Sequence, residues 1–193
     1  MSQFNIASHQ QIVRFPKDGK PALAQNEWQV WSGNQDEGGL PDLEHGAHKV
    51  LVPFTWWITH HHEKDVMTRA KNGQIGIWFA ADDDILKHAD LIETGKTLWS
   101  IVAAHFPIFR DGRSFSTAAL LRERFAWTGE IRAIGDVLID QLLQGARVGF
   151  DSFAIRPDQN LDIALKQFDL FSVHTQNSWR GKRSTLITRE TLT

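Results

Sequence analysis

A chain of 193 residues with 21 Lys and Arg against 23 Asp and Glu carries a formal charge of −2, too balanced for the clustered cationic surface that nucleic-acid binding needs. It contains no cysteine, which excludes a disulfide framework, a thiolate nucleophile, Cys-ligated zinc and a Cys-held iron–sulfur cluster. Hydrophobic residues make up 41% and charged residues 23%, ordinary for one globular domain, which at this length buries roughly 70% of its unfolded surface.

No stretch reaches the roughly 20 consecutive apolar residues of a membrane span. Met1-Ser2-Gln3-Phe4-Asn5 lacks the basic and apolar regions of a signal peptide, so a cytoplasmic chain with no membrane and no nucleic-acid partner is expected. Eight Trp and twelve Phe with no Tyr supply large apolar bodies for a core or an interface.

Residues 10–31 read as a β-hairpin: Gln11-Ile12-Val13-Arg14-Phe15 and Glu27-Trp28-Gln29-Val30-Trp31 are strand-like, and Lys17-Asp18-Gly19-Lys20 supplies the turn. Residues 32–46, rich in Gly, Asn, Asp and Pro, read as a linker, so 1–47 form an N-terminal hairpin and linker that covers an edge or meets a partner. From residue 48 short apolar runs alternate with helical segments. Strands are expected at 49–53, 74–80, 98–104, 130–134 and 151–155, with helices at 55–71, 118–125, 137–147 and 161–171 and a polar segment at 86–94. Asp158 or Asn160 is placed to cap the last helix. The alternation predicts an α/β domain over 48–174: a mostly parallel sheet of about five strands with crossover helices, open or half-barrel-like. Open edges invite pairing, so a homo-oligomer is expected. Residues 175–193 carry Arg180, Lys182, Arg183 and Arg189 against Glu190 and are expected to be a disordered basic tail.

Ligands of parallel α/β folds bind beyond the carboxyl ends of the strands, which selects Asp82-Asp83-Asp84, residues 109–116, Gly135-Asp136 and Arg156-Pro157-Asp158. The richest segment is Asp111-Gly112-Arg113-Ser114-Phe115-Ser116. Gly112 permits a tight turn, Arg113 offers a bidentate fork, and Ser114 and Ser116 open a helix whose N–H groups favour an anion. An oxyanion site of Gly112, Arg113, Ser114, Ser116 and Arg156 is therefore expected, with Asp136 and Asp111 as catalytic carboxylates. The plainer alternative has Ser116 capping the helix, Asp111 pairing with Arg113, and Asp136 capping its own helix. Three adjacent Asp residues more often form a solvated loop than a cation site, and His60, His61 and His62 point in different directions on a helix and should be exposed, so no metal is expected. His105 and His174 are candidate bases outside any recognisable triad. Signatures for a dinucleotide, a nucleotide phosphate and a nucleophile elbow are missing, and the cofactor stays unknown.

The string Asp111-Gly112-Arg113-Ser114-Phe115-Ser116, with Leu120-Leu121-Arg122-Glu123-Arg124-Phe125, Thr128 to Leu138, Asp140-Gln141-Leu142 and Gly149-Phe150-Asp151-Ser152-Phe153, resembles a bacterial family of uncharacterised proteins. Its members are described as oxidoreductases or accessory proteins of assimilatory sulfite reduction. Asp111, Gly112, Arg113, Ser116, Arg122, Arg132, Gly135, Asp136, Asp140, Gln141 and Asp151 match the pattern, while Phe115 stands where Tyr is common. The resemblance implies a role in sulfur assimilation beside a sulfite reductase subunit, with a small oxyanion as ligand. The alternatives are a non-catalytic scaffold for a reductase and a small barrel-like enzyme acting on a phosphorylated metabolite.

Overall fold

Runs dense in β-branched and aromatic residues become eight strands in the computed structural model, which describes residues 10–33, 49–171 and 176–181. They are β1 (Gln11–Arg14), β2 (Ala22–Gln25), β3 (Trp28–Val30), β4 (Lys49–Pro53), β5 (Ile75–Phe79), β6 (Ile101–Phe106), β7 (Glu130–Gly135) and β8 (Ser152–Phe153). The helices are α1 (Phe54–His60), α2 (Lys64–Lys71), α3 (Ala89–Leu98), α4 (Arg113–Glu123), α5 (Leu142–Val148) and α6 (Leu161–Lys166). All strands join one sheet in the order β2-β1-β8-β7-β6-β5-β4-β3. From β3 to β8 each strand lies parallel to the next in sequence, and β1 and β2 add an antiparallel pair beside β8. The α/β class and the hairpin agree with expectation, but the sheet is mixed and larger than five strands.

The hairpin partner is a correction. β1 pairs with β2, Gln11 opposite Gln25 and Arg14 opposite Ala22, whereas Trp28–Val30 crosses to the far edge and pairs in parallel with β4. Burial of aromatics decides this. At the far edge Trp28 is 9% exposed, and Trp31 packs edge-on against Trp56 at 5.3 Å.

Neighbouring parallel strands follow one another in sequence, so right-handed crossovers place every helix on the same face. The larger apolar cluster lies there, uniting Val52, Ile77, Val102 and Ile131 of the strands with Trp56, Trp57, Ile92, Leu121 and Leu142 of the helices. On the other face Ile12, Trp28, Leu51, Ile101, Ala103, Ile134 and Ala154 form a second cluster with no helical member. Those residues are nevertheless buried, so the sheet curls and covers this face with itself. The chain demands the same: edge strands β2 and β3 are joined by Asn26 and Glu27 alone, which spans at most about 11 Å. Small residues permit the curl, since a Cβ on Gly76 would lie 2.8 Å from the Leu51 side chain and 2.5 Å from that of Ile101.

Helix boundaries shift for local reasons. The helix expected over 55–71 is two helices, because His60 Nδ1 meets Glu63 Oε1 at 2.5 Å and His61 Nδ1 meets the Ile58 carbonyl at 3.0 Å, closing the last turn of α1. His60 is thereby buried and stacked on Trp56, contrary to the exposed triplet expected. The segment read as polar at 86–94 is largely α3, and the next strand begins at Ile101 after Leu98 ends that helix. α4 starts at Arg113, with Gly112 rather than Ser116 at its cap. Asn160 caps α6, its side chain accepting from the Ile163 N–H at 3.0 Å.

Part of the expected tail is docked. Trp179 lies between Lys17 Nζ at 4.2 Å and the Arg122 guanidinium at 4.6 Å. Arg180 donates to the carbonyls of Ala146 at 3.1 Å, Phe150 at 2.8 Å and Phe15, and burial lowers its pKa to about 10. The linker beyond residue 33, His174 and residues 182–193 with Lys182, Arg183 and Arg189 lie outside the described residues. Among the described residues no helix is long and apolar enough to cross a membrane.

Candidate functional site

The segments selected at the carboxyl ends of β5, β6, β7 and β8 gather at one edge of the curled sheet. After β5, Asp83 accepts from the Ala80 N–H at 2.7 Å and Asp84 from the Leu86 N–H at 3.2 Å, so both carboxylates fix the turn into α3. Burial raises the pKa of Asp83, while Asp82 acts on Arg113 across the edge and raises the pKa of that guanidinium, behind the larger effect of Asp111. Among the described residues no three His, Cys, Asp or Glu side chains are placed to hold a metal.

After β6, where an oxyanion site is expected, the chain's own Asp111 closes on Arg113. The Asp111 carboxylate accepts from the Arg113 backbone N–H at 3.1 Å, from Nε at 3.0 Å and from Nη2 at 2.6 Å. It thus occupies both the guanidinium fork and the helix N-terminus intended for an exogenous oxyanion. Arg113 accordingly holds the Asp111 pKa down at about 2. Such a carboxylate is a weak base at neutral pH, which argues against a proton-transfer role for Asp111. The Ser114 hydroxyl points inward and donates to the His105 carbonyl at 2.6 Å, and Ser116, about half a turn further along α4, is exposed.

A second clasp joins β7 to β8. Asp136 Oδ1 accepts from Arg156 Nη1 at 2.8 Å, and Arg156 is held on its other side by Asp158 through Nε and Nη2, each at 2.7 Å. Those two carboxylates raise the Arg156 pKa, and Arg156 lowers that of Asp158 to about 2. Asp136 Oδ2 accepts from the Phe109 N–H at 2.8 Å, and Gln141 Nε2 donates to the Phe109 carbonyl at 2.5 Å. Asp136 is thus a strut between loops rather than a helix cap. Of the expected residues, Asp111, Gly112 and Arg113 form one clasp and Asp136 with Arg156 another, Phe109 tying the first loop to the second.

Beside the exposed charges of Lys87 and Arg110, three apolar side chains also stand outward at this edge: Leu86, Ile108 and Phe109 are 46%, 45% and 50% exposed. His105, half-buried on the curled inner face near the end of β6, lies edge-on to Trp78 at 5.4 Å. Burial lowers its pKa, leaving a neutral imidazole at pH 7. Gly135, at φ +95, makes room for it, because a Cβ there would lie 2.9 Å from Nε2 and 2.4 Å from the Phe106 carbonyl.

Two arginines of the family string are buried. Arg122 donates to the carbonyls of Gly149 at 3.0 Å, Trp127 at 2.6 Å and Gly129 at 2.9 Å, and to Asp151. Arg132 bonds Glu130, Ser152 and Asn26 on the inner face. Strand-end reasoning passes over both, since each lies toward the amino ends of β7 and β8. The family string alone signalled them.

A family model described as "Bacterial protein of unknown function (DUF934)" matches residues 76–186, a span that contains both clasps, His105 and the two buried arginines. No curated protein and no solved structure matches the chain.

Proposed function

The chain belongs to that bacterial family, and from this premise we propose that it is an accessory protein of assimilatory sulfite reduction, binding a sulfite reductase subunit through the carboxyl edge of its sheet. The observation that carries the binding role is the condition of that edge. Arg113 and Arg156 are closed on Asp111, Asp136 and Asp158, while Leu86, Ile108 and Phe109 stand in solvent, the chemistry of a docking face rather than of an open anion pocket. The link to sulfite reduction rests on the resemblance carried by residues 111–153. With no cysteine the chain has no thiolate for a cluster or for disulfide exchange, which favours a helper over an electron carrier.

Gene deletion is the test. Loss of the gene should slow growth on sulfate or sulfite and leave growth on cysteine unchanged. A complementing Ile108→Asp/Phe109→Asp variant with a wild-type melting temperature should neither restore growth nor co-purify with the reductase. Normal growth of the deletion strain on sulfate refutes the pathway, and rescue by the double variant refutes the docking edge.

A second reading, an enzyme acting on an oxyanion or phosphorylated metabolite at this edge, is favoured by His105, a neutral base beside Trp78. It requires that purified wild type, and not His105→Gln, deplete such a metabolite from a cell extract.

A further inference from the structure

We propose that the opposite end of the curled sheet is a binding site for a small organic anion, its charged head held by Arg14, Lys49 and Arg132 and its body filling the cavity beside Trp28. A cavity of about 360 Å³ opens on the inner face at the amino ends of β3, β4, β6 and β7, lined by these residues with Glu27 and Glu130. That volume falls within the range of about 300–1,000 Å³ occupied by small-molecule sites and exceeds what an inorganic oxyanion fills.

Charge points to an anion. Among the described lining residues there are three cations, Arg14, Lys49 and Arg132, against two carboxylates, Glu27 and Glu130, an excess of one positive charge. At the carboxyl edge each clasped guanidinium has a carboxylate at 2.6 to 2.8 Å, and here Lys49 and Arg132 are paired as closely, at 2.7 Å, so the difference lies in Arg14. Here one carboxylate serves two guanidinium groups: Glu130 Oε1 accepts from Arg132 Nη2 at 2.7 Å and from Ser152 Oγ at 2.5 Å, and Arg14 reaches Oε2 only at 3.4 Å. Arg132 is 3% exposed, and its bonds to Glu130, Ser152 and Asn26 use Nε and one N–H on each terminal nitrogen, leaving one more on each. A buried guanidinium sharing its counter-ion is stabilised by a further anion within reach of those donors.

The size of the cavity indicates that the anion is attached to something. Ile12 and Ile101 are each 1% exposed and Trp28 is 9% exposed, so the floor is closed apolar packing, and it is the volume, larger than an inorganic oxyanion fills, that calls for a body behind the head group. Lys49 reaches over the Trp28 ring at 5.7 Å while pairing with Glu27 at 2.7 Å, so an ammonium and an indole stand side by side at the cavity wall. A carboxylate, phosphate or sulfonate on a compact ring satisfies both halves of the cavity.

Calorimetry at fixed ionic strength with benzoate, phenyl phosphate and benzenesulfonate, against inorganic phosphate and sulfate, tests the site. At least one ring-bearing anion should bind saturably and about tenfold more tightly than either inorganic ion, and the tightest of the three identifies the head group. Arg14→Gln and Lys49→Gln alter side chains 48% and 40% exposed, so the fold should survive, and each should weaken binding about tenfold. Arg113→Gln at the far edge should leave binding unchanged. The proposal is overturned by the lack of saturable binding up to about 10 mM, by affinities indifferent to both amino-end substitutions, or by loss of binding in Arg113→Gln. Equal affinity for inorganic and ring-bearing anions overturns the organic body.

Discussion

Replacing Arg122 with Met probes what holds the amino ends of β7 and β8 against α4. The side chain is 1% exposed, and its fork satisfies the carbonyls of Gly149, Trp127 and Gly129 together with Asp151. Methionine fills most of the space but strands a buried carboxylate and three carbonyl groups. Breaking a buried ion pair by removing one partner costs about 3–5 kcal/mol. Carbonyls that water cannot reach add to this, so a loss of about 5 kcal/mol is expected. In a chain of this length that is a fall of roughly 10–20 °C in melting temperature. Urea unfolding followed by tryptophan fluorescence at pH 7 reads the loss directly, and a value below about 2 kcal/mol refutes the hub role.

The same variant has a pH signature. Burial raises the Asp151 pKa above its unfolded value even with Arg122 present. The folded state therefore holds its proton more tightly, and the associated stability is lost as pH rises through the folded pKa. Without Arg122 the pKa rises further and the window widens, so the deficit against wild type should be larger at pH 7 than near pH 4. A deficit independent of pH would show that the lost carbonyl bonds, not the stranded charge, dominate.

Gly135→Ala should destabilise the fold by about 2 kcal/mol or more, because φ is +95 and the new Cβ would press on the Phe106 carbonyl at 2.4 Å. Gly112→Ala meets only Phe115 at 3.8 Å with φ at −86 and should be neutral or stabilising by up to about 1 kcal/mol, and a paired thermal melt separates the two. Carboxyl NMR should place the Asp111 midpoint at about 2. Its contribution to stability is then present above about pH 4 and lost as pH falls toward the folded value, and Arg113→Ala, which keeps the backbone N–H bond but removes the guanidinium, should move the midpoint back up toward the ordinary range. Arg180→Ala removes donors to the Ala146, Phe150 and Phe15 carbonyls and should lower stability by about 2 kcal/mol in urea unfolding, whereas an unchanged midpoint would mean the docked turn adds nothing.

The sequence by itself determined the strands from β4 to β8 and the helices between them other than α3, because strands buried on both faces read as short apolar runs whatever they pair with. It also determined the edge at which the polar strand-end loops meet and the Asp111–Arg113 alternative, both set by chain direction and short spacing. Tertiary structure decided what depends on distant partners. Trp28 leaves the hairpin for the far edge because burial beside β4 outweighs local pairing, and Asp136 becomes a strut because Arg156, twenty residues on, arrives beside it. The same holds for the charges. Spacing shows where an arginine stands, but only the fold shows that Arg113 is already neutralised by its neighbour and that Arg132, drawn inside the curl, shares its carboxylate with Arg14. Long-range electrostatics follows from which groups lose their water together, and that is fixed only when the sheet closes on itself.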